Sequence, residues 1–154
     1  MNRQEATDFD RMVNELKQEI AKREQELYSE TVLREASNPK NVGLIPDADL
    51  RGLVQGWCGD TMEITLRLNG GTIKEATFIT DGCGSTLACG SMLTQMLIGM
   101  TLTQAEWVLP EDLIKALDGL PEESLHCAGL AVSTLHNALF DWRVSEMEQQ
   151  EEVG

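Results

Sequence analysis

The sequence predicts an α+β fold, with a block of antiparallel strands followed by a block of packed helices. Three observations carry this. An early stretch repeats its apolar residues at helical spacing. A middle stretch alternates strictly between apolar and polar residues around a glycine-rich turn. The second half returns to helical spacing and stays there. The chain has 154 residues, enough for one domain with an appendage. A chain of this length buries a core without disulfides or metal, so a metal site would serve function more than folding.

Residues 7 to 34 read as one long helix. Thr7 followed by Asp10 fits a capping box with Asp in place of Glu or Gln. Phe9, Val13, Leu16, Ile20 and Leu27 then form an apolar stripe, narrowed by Arg23. A stripe of this kind needs a cover, either its own domain or a second subunit. The helix ends near Asn38-Pro39, because the residue before a proline disfavours helical dihedrals. Asn38 to Arg51 is rich in Asn, Pro, Gly and Asp and reads as a loop.

In the sheet, Met62, Ile64, Leu66 and Leu68 alternate with Glu63, Thr65, Arg67 and Asn69. Asn69-Gly70-Gly71 suits a hairpin that needs positive φ angles. Ile73, Ala76, Phe78 and Thr80 carry the return strand, and Gly52 to Trp57 offers a third. Helices follow over 84–99, 103–109 and 111–117, and a last one runs from near His126 past Trp142. Met92, Met96 and Met100 recur at helical spacing and read as core. Trp107 and Trp142 read as packing anchors. Residues 144–154 are polar and acidic and read as a frayed tail. The expected organisation is an N-terminal helical extension over 1–27, one domain over 28–143 and the tail over 144–154.

Asp and Glu total 26 against 12 Lys and Arg, a formal charge of −14. Such a surface repels nucleic-acid backbones and anionic lipid heads and favours a basic protein partner. Glu5, Asp8, Asp10 and Glu15 precede any apolar run, which fits neither a signal peptide nor a transit peptide. The uncharged stretch from Gly82 to Ala105 is interrupted by Thr, Gln and Gly, so it reads as a buried helix and not a membrane span. A cytoplasmic setting with reduced thiols follows.

Three of the four cysteines occupy similar places. Cys58 lies at a turn between strands, Cys83 where a strand becomes a helix, and Cys127 at a predicted helix start. Sulfur binds metal as thiolate, and a helix N-terminus stabilises the thiolate through its partial positive charge and free N–H groups. Gly59, Gly82 and Gly84 let the backbone bend there. No Cys-x-x-Cys pair is present, which removes the main support for a zinc knuckle, and the bacterial ferredoxin run is absent too. Three separated loops would have to converge. Spacing alone leaves two readings open: a shared metal site, or three small buried hydrophobes. Asp60 and His126 adjoin these cysteines and offer oxygen and nitrogen. Cys89 lies six residues past Cys83, about 9 Å along the helix and on another face, so core packing suits it better. His136 is about 13 Å beyond Cys127 by the same geometry and reads as packed or solvated.

These residues resemble the iron–sulfur scaffold family of IscU and the N-terminal domain of NifU. The signs are Tyr28-Ser29-Glu30, Asn38-Pro39-Lys40-Asn41-Val42-Gly43, Cys58-Gly59-Asp60, Gly82-Cys83-Gly84-Ser85, and Leu120-Pro121 with His126-Cys127. They occur in register over about residues 28 to 142. The resemblance implies a three-stranded antiparallel sheet packed against several helices, here with an extra N-terminal helix. It implies Cys58, Cys83 and Cys127 as cluster ligands, with Asp60 or His126 as the fourth. It implies a binding and transfer scaffold, not an enzyme. A [2Fe–2S] cluster would be built from iron and the sulfur of a cysteine desulfurase, with electrons from a donor such as a ferredoxin, and passed to apoproteins. Zinc suits the same ligands. The alternative is a zinc-organised persulfide acceptor of the SufU type, a branch that typically lacks the His-Cys pair.

The departures bear on partners. The family often carries Leu-Pro-Pro-Val-Lys where this chain has Leu120-Pro121-Glu122-Glu123-Ser124, which puts an Hsp70-type chaperone in doubt. Trp57 stands before Cys58 where small residues or proline are usual, and Cys89 falls in a stretch rich in serine in many relatives. Because the resemblance is complete without residues 1–27, the apolar stripe there is expected to pair with a second subunit, as a homodimer.

Overall fold

The computed structural model describes residues 3–153. The N-terminal part is two helices, not one: α1 (Arg3–Leu27) and α2 (Glu30–Ser37). Ser29 breaks them by adopting an extended conformation, φ −64° and ψ 158°. Its Oγ accepts from the Val32 N–H at 3.1 Å and donates to the Leu117 carbonyl at 2.5 Å. Thr31 adds a hydroxyl bond to the Asp118 carboxylate at 2.7 Å. These long-range partners outweigh local helix continuity. Thr7 caps nothing: it sits inside α1 and its hydroxyl donates back to the Arg3 carbonyl at 2.8 Å.

The sheet is antiparallel with order β1-β2-β3, formed by β1 (Leu50–Gln55), β2 (Thr61–Asn69) and β3 (Thr72–Thr80). Ile64 of β2 stands opposite Gly52 on one side and Phe78 on the other. Met62, Ile64, Leu66, Ile73 and Phe78 are all fully buried, as the period of two requires. A bulge between Arg67 and Leu68 resets the register before the hairpin, and Gly70 takes φ +66° there. The loop before β1 covers β3, with Gly43 donating to the Phe78 carbonyl at 2.8 Å and Asn41 accepting from the Phe78 N–H at 3.0 Å.

The helical half comprises α3 (Gly84–Leu97), α4 (Leu102–Glu106), α5 (Pro110–Ala116), a short 3-10 turn (Glu122–Ser124) and α6 (Leu125–Val153). Leu93 and Leu97 of α3, Leu113 of α5, and Leu135 and Leu139 of α6 form the helical side of the core. Two glycines set the distances. A Cβ on Gly52 would lie 2.4 Å from the Thr134 carbonyl oxygen, so β1 touches the backbone of α6. A Cβ on Gly90 would lie 2.4 Å from the Phe78 ring, so β3 is equally close to α3.

Met92, Met96, Met100 and Trp142 pack against the core as half-buried residues. Trp107 does not: it is 76 % exposed at the end of the five-residue α4. Residues 144–153 continue α6 instead of fraying. The apolar stripe of α1 is not covered by its own domain, and no residue of α1 is buried. No helix among the described residues is long and apolar enough to cross a membrane.

Candidate metal centre

Two helix N-termini and one strand turn position the candidate ligands. Cys83 is the N-cap of α3, in extended conformation, and its carbonyl accepts the Leu87 N–H at 3.0 Å. Cys127 lies in the first turn of α6 and is 1 % exposed. Thr86 joins them. Its hydroxyl donates to the Cys127 Sγ at 3.4 Å and stands 3.8 Å from the Cys83 Sγ. Gly82 is what admits Thr86, since a Cβ there would meet the Thr86 side chain at 2.7 Å. The sequence reading missed Thr86. The available signal was its place three residues after Cys83, one helical turn on and on the same face.

His126 is half-buried, with Nε2 3.7 Å from the Cys127 Sγ. Trp57, 86 % exposed, meets the His126 ring edge-on at a centroid distance of 5.4 Å. Cys58 is exposed in the β1–β2 turn beside Trp57. That turn is closed by the Gly56 N–H on the Asp60 carbonyl at 2.7 Å and the Gly59 N–H on the Gly56 carbonyl at 3.0 Å. Gly59 takes φ +98°, which favours glycine, and faces open space. Asp60 is half-buried at the base of the turn. Beside it, the Asp81 carboxylate accepts from the Thr61 N–H at 2.7 Å and ties the end of β3 to the start of β2.

All four cysteines are free thiols. For Cys83, burial pushes the thiol up, but the Thr86 N–H, the Thr86 hydroxyl and the Ser85 N–H outweigh it and hold Cys83 below the usual thiol range. Burial pushes Cys127 above that range, and the neighbouring Cys83 and Cys58 thiolates add to this against the Thr86 hydroxyl. Burial also raises Cys89, with smaller contributions from Cys127 and Cys83. Cys83 therefore ionises before Cys127. Cys89 is fully buried in α3, in keeping with a packing role. His136 packs with Nε2 3.2 Å from the Val108 carbonyl oxygen.

Cys83, Thr86, Cys127 and His126 thus form one group, with Cys58 across a cavity of about 340 Å³ from His126. A second cavity of about 280 Å³, walled by Tyr28, Val32 and Ala36, opens onto Cys83. Among the described residues, no three His, Cys, Asp or Glu side chains are set to hold a metal ion as they stand. The donor set fits iron or zinc, since thiolate and imidazole suit both.

Residues 27–149 match the family profile described as NifU-like N terminal domain. An iron–sulfur cluster assembly scaffold protein from Archaeoglobus fulgidus, IscU 1, is 35% identical over 131 residues, covering 83% of this chain and 86% of its own. The IscU scaffold of Aquifex aeolicus is 37% identical over 127 residues, covering 80% and 81%. A crystal structure of a SUF-system scaffold from Fervidobacterium islandicum shares the fold at TM-score 0.57 and 21% identity, over 73% of this chain and 96% of that one. This chain belongs to the NifU-like N-terminal domain family of iron–sulfur cluster scaffolds.

Proposed function

We propose that this chain is a scaffold on which an iron–sulfur cluster, [2Fe–2S], is assembled as cargo and from which it is passed to apoproteins. It binds and transfers and is not an enzyme. Cys58, Cys83 and Cys127 hold the cluster, with Asp60 or His126 as the fourth donor. The observation that carries this reading is the Thr86-bridged pair of Cys83 and Cys127 at two helix N-termini. Helix N-termini stabilise thiolates, and an anionic cluster gains from the same dipoles. The Cys58 turn, bent at Gly59, supplies the third sulfur.

Sulfur comes from a cysteine desulfurase as persulfide. Persulfide sulfur needs two electrons to become sulfide, so an electron donor such as a ferredoxin belongs to the reaction. The setting is cytoplasmic. A mixed ligand set with one oxygen or nitrogen releases its cargo more readily than four thiolates. Zinc in the same site is the resting occupant of the alternative, a persulfide acceptor of the SufU type.

Anaerobic reconstitution with ferrous iron and sulfide tests the reading. A scaffold develops visible absorption and the Mössbauer doublet of a [2Fe–2S] cluster, and then loses both to an apo-ferredoxin. A chain that keeps zinc, forms no chromophore and accumulates persulfide on one cysteine would establish the alternative instead.

A further inference from the structure

We propose that α1 pairs with α1 of a second copy of this chain as a parallel, in-register, two-stranded coiled coil. The helix is 25 residues long and buries none of them, yet it is far from uniformly polar. Phe9 is 54% exposed, Met12 53%, Leu16 53%, Ile20 55% and Leu27 56%. In proteins most helical stability comes from packing an apolar face, so this uncovered face calls for a partner.

The spacing specifies what that partner is. Phe9, Val13, Leu16, Ile20, Arg23 and Leu27 follow one another at alternating steps of four and three residues. That is the heptad seam, with Phe9, Leu16 and Arg23 at d and Val13, Ile20 and Leu27 at a. The central layers, Val13 and Ile20 at a around Leu16 at d, have the composition that favours two parallel strands. Half-exposed side chains of this size offer on the order of 100 Å² each, so Phe9, Leu16, Ile20 and Leu27 on the seam, with Met12 flanking it at g, offer at most roughly 1,000 Å² over two helices, the threshold of a specific interface.

Arg23 selects the alignment. A d-position side chain packs beside the e position of the opposite helix, which places Arg23 against Glu24 of the second copy. Arg23 already pairs with Glu19 of its own helix at 3.3 Å. Glu19, at g, faces the same Glu24 of the second copy, and Arg23 lies between the two carboxylates. It offsets their repulsion and penalises other registers, as a single polar seam residue does. The antiparallel pairing that overlaps the Phe9–Leu27 seam on itself sets Lys17 against Lys17, Glu19 against Glu19 and Arg23 against Val13, which disfavours it. Parallel pairing brings both C-terminal ends of α1, and with them both Tyr28-lined cavities beside Cys83, to the same end of the stem.

Sedimentation equilibrium on the full, metal-free chain tests this. The wild type should show twice the chain mass of 17.0 kDa, and the Leu16→Glu/Ile20→Glu double variant the single mass. Both positions are exposed, so the double variant should keep the near-ultraviolet circular dichroism of the domain. Arg23→Glu should raise the dimer dissociation constant at least about tenfold. Pyrene on the α-amino group reads orientation. Parallel helices bring the two labelled ends together and give excimer emission, whereas the antiparallel seam pairing holds the starts of α1 about 45 Å apart. A wild type of single mass from about 1 to about 500 µM, above the range of a specific homodimer, would overturn the proposal. So would a dimer that survives the double substitution, or one without excimer emission.

Discussion

The Thr86 hydroxyl donates to the Cys127 sulfur across 3.4 Å while standing 3.8 Å from the Cys83 sulfur. It favours the thiolate at both cysteines. Thr86→Val keeps the shape and removes the donor. Losing one such bond costs about 1 kcal/mol, so the thiolate fraction of Cys83 at neutral pH should fall several-fold. The rate of iodoacetamide alkylation, read residue by residue by mass spectrometry, checks this. Thr86→Ser should restore the rate, and a Val variant with the wild-type rate at Cys83 would remove Thr86 from the site.

The four cysteines should divide three against one. Cys58→Ser, Cys83→Ser and Cys127→Ser each remove a thiolate that a hydroxyl does not replace, and each should abolish stable cluster assembly. Cys89→Ser should keep the cluster, because Cys89 is fully buried in the helical core. It should lose stability instead, by about 1–3 kcal/mol for a hydroxyl placed among apolar neighbours. Visible absorption after reconstitution and urea unfolding separate the two effects. A folded Cys89 variant without cluster would give that sulfur a role in holding the cargo.

Gly52 fixes the separation between the strand that leads to Cys58 and the helix whose first turn carries Cys127. A Cβ there would lie 2.4 Å from the Thr134 carbonyl oxygen and 2.6 Å from the Ala138 nitrogen, both rigid backbone atoms. Gly52→Ala must therefore push β1 away from α6. The expected cost is about 1–3 kcal/mol, together with a weaker cluster. Gly129→Ala is the control. It lies in α6 with open space around it and should be stabilising by about 0.4–1 kcal/mol. Thermal unfolding of the two variants should move in opposite directions.

The parts of this fold that local chemistry dictates were legible. Alternation from Met62 to Leu68 around Asn69-Gly70-Gly71 gives the hairpin and its buried face without reference to the rest of the chain. The break at Ser29 was not legible, because its reason lies 88 residues away at the Leu117 carbonyl. Thr7 shows the converse, a cap pattern that the helix simply runs through. Trp107 was misread because a five-residue helix has too little periodicity to say which side faces inward. In the candidate site, the cysteines stood out by residue type and their glycine neighbours. Thr86 was hidden because a threonine in a helix has many uses, and only the approach of Cys127 from 41 residues away gives it this one.

Glu35 should make stability depend on pH. It is 3% exposed and accepts bonds from the Ser91 hydroxyl at 2.6 Å and the Gln95 amide at 2.9 Å, fastening α2 to α3. Burial alone would raise its pKa, but those two bonds and then the Lys40 and Arg34 charges outweigh it, so the carboxylate sits below its ordinary value of 4.5. A depressed carboxylate contributes its stability in full above the unfolded value and loses it as pH falls through the folded one. Glu35→Ala should therefore cost about 1–3 kcal/mol at neutral pH and progressively less below pH 4.5. Urea midpoints of both proteins at pH 7 and in the acid range decide it, and a difference independent of pH would contradict the carboxylate's role.

Asp60 should govern how long the cargo stays. A scaffold must bind its cluster tightly enough to build it and loosely enough to part with it. Carboxylate oxygen is harder than thiolate sulfur and a poorer match to cluster iron. It is also readily protonated or displaced by an incoming thiol. Asp60 sits half-buried at the base of the Cys58 turn, two residues past Cys58 with Gly59 at positive φ between them. Its carbonyl oxygen already holds the turn through the Gly56 N–H, a bond that an alanine at this position preserves. Asp60→Ala should thus leave the turn intact, permit assembly, lengthen the life of the cluster several-fold and slow transfer to an apo-ferredoxin by a similar factor, about 1 kcal/mol of barrier. The measurement is the decay of visible absorption with and without the acceptor. A wild-type lifetime and transfer rate in the variant would take Asp60 out of the mechanism and leave His126, with Nε2 3.7 Å from the Cys127 sulfur, as the fourth donor.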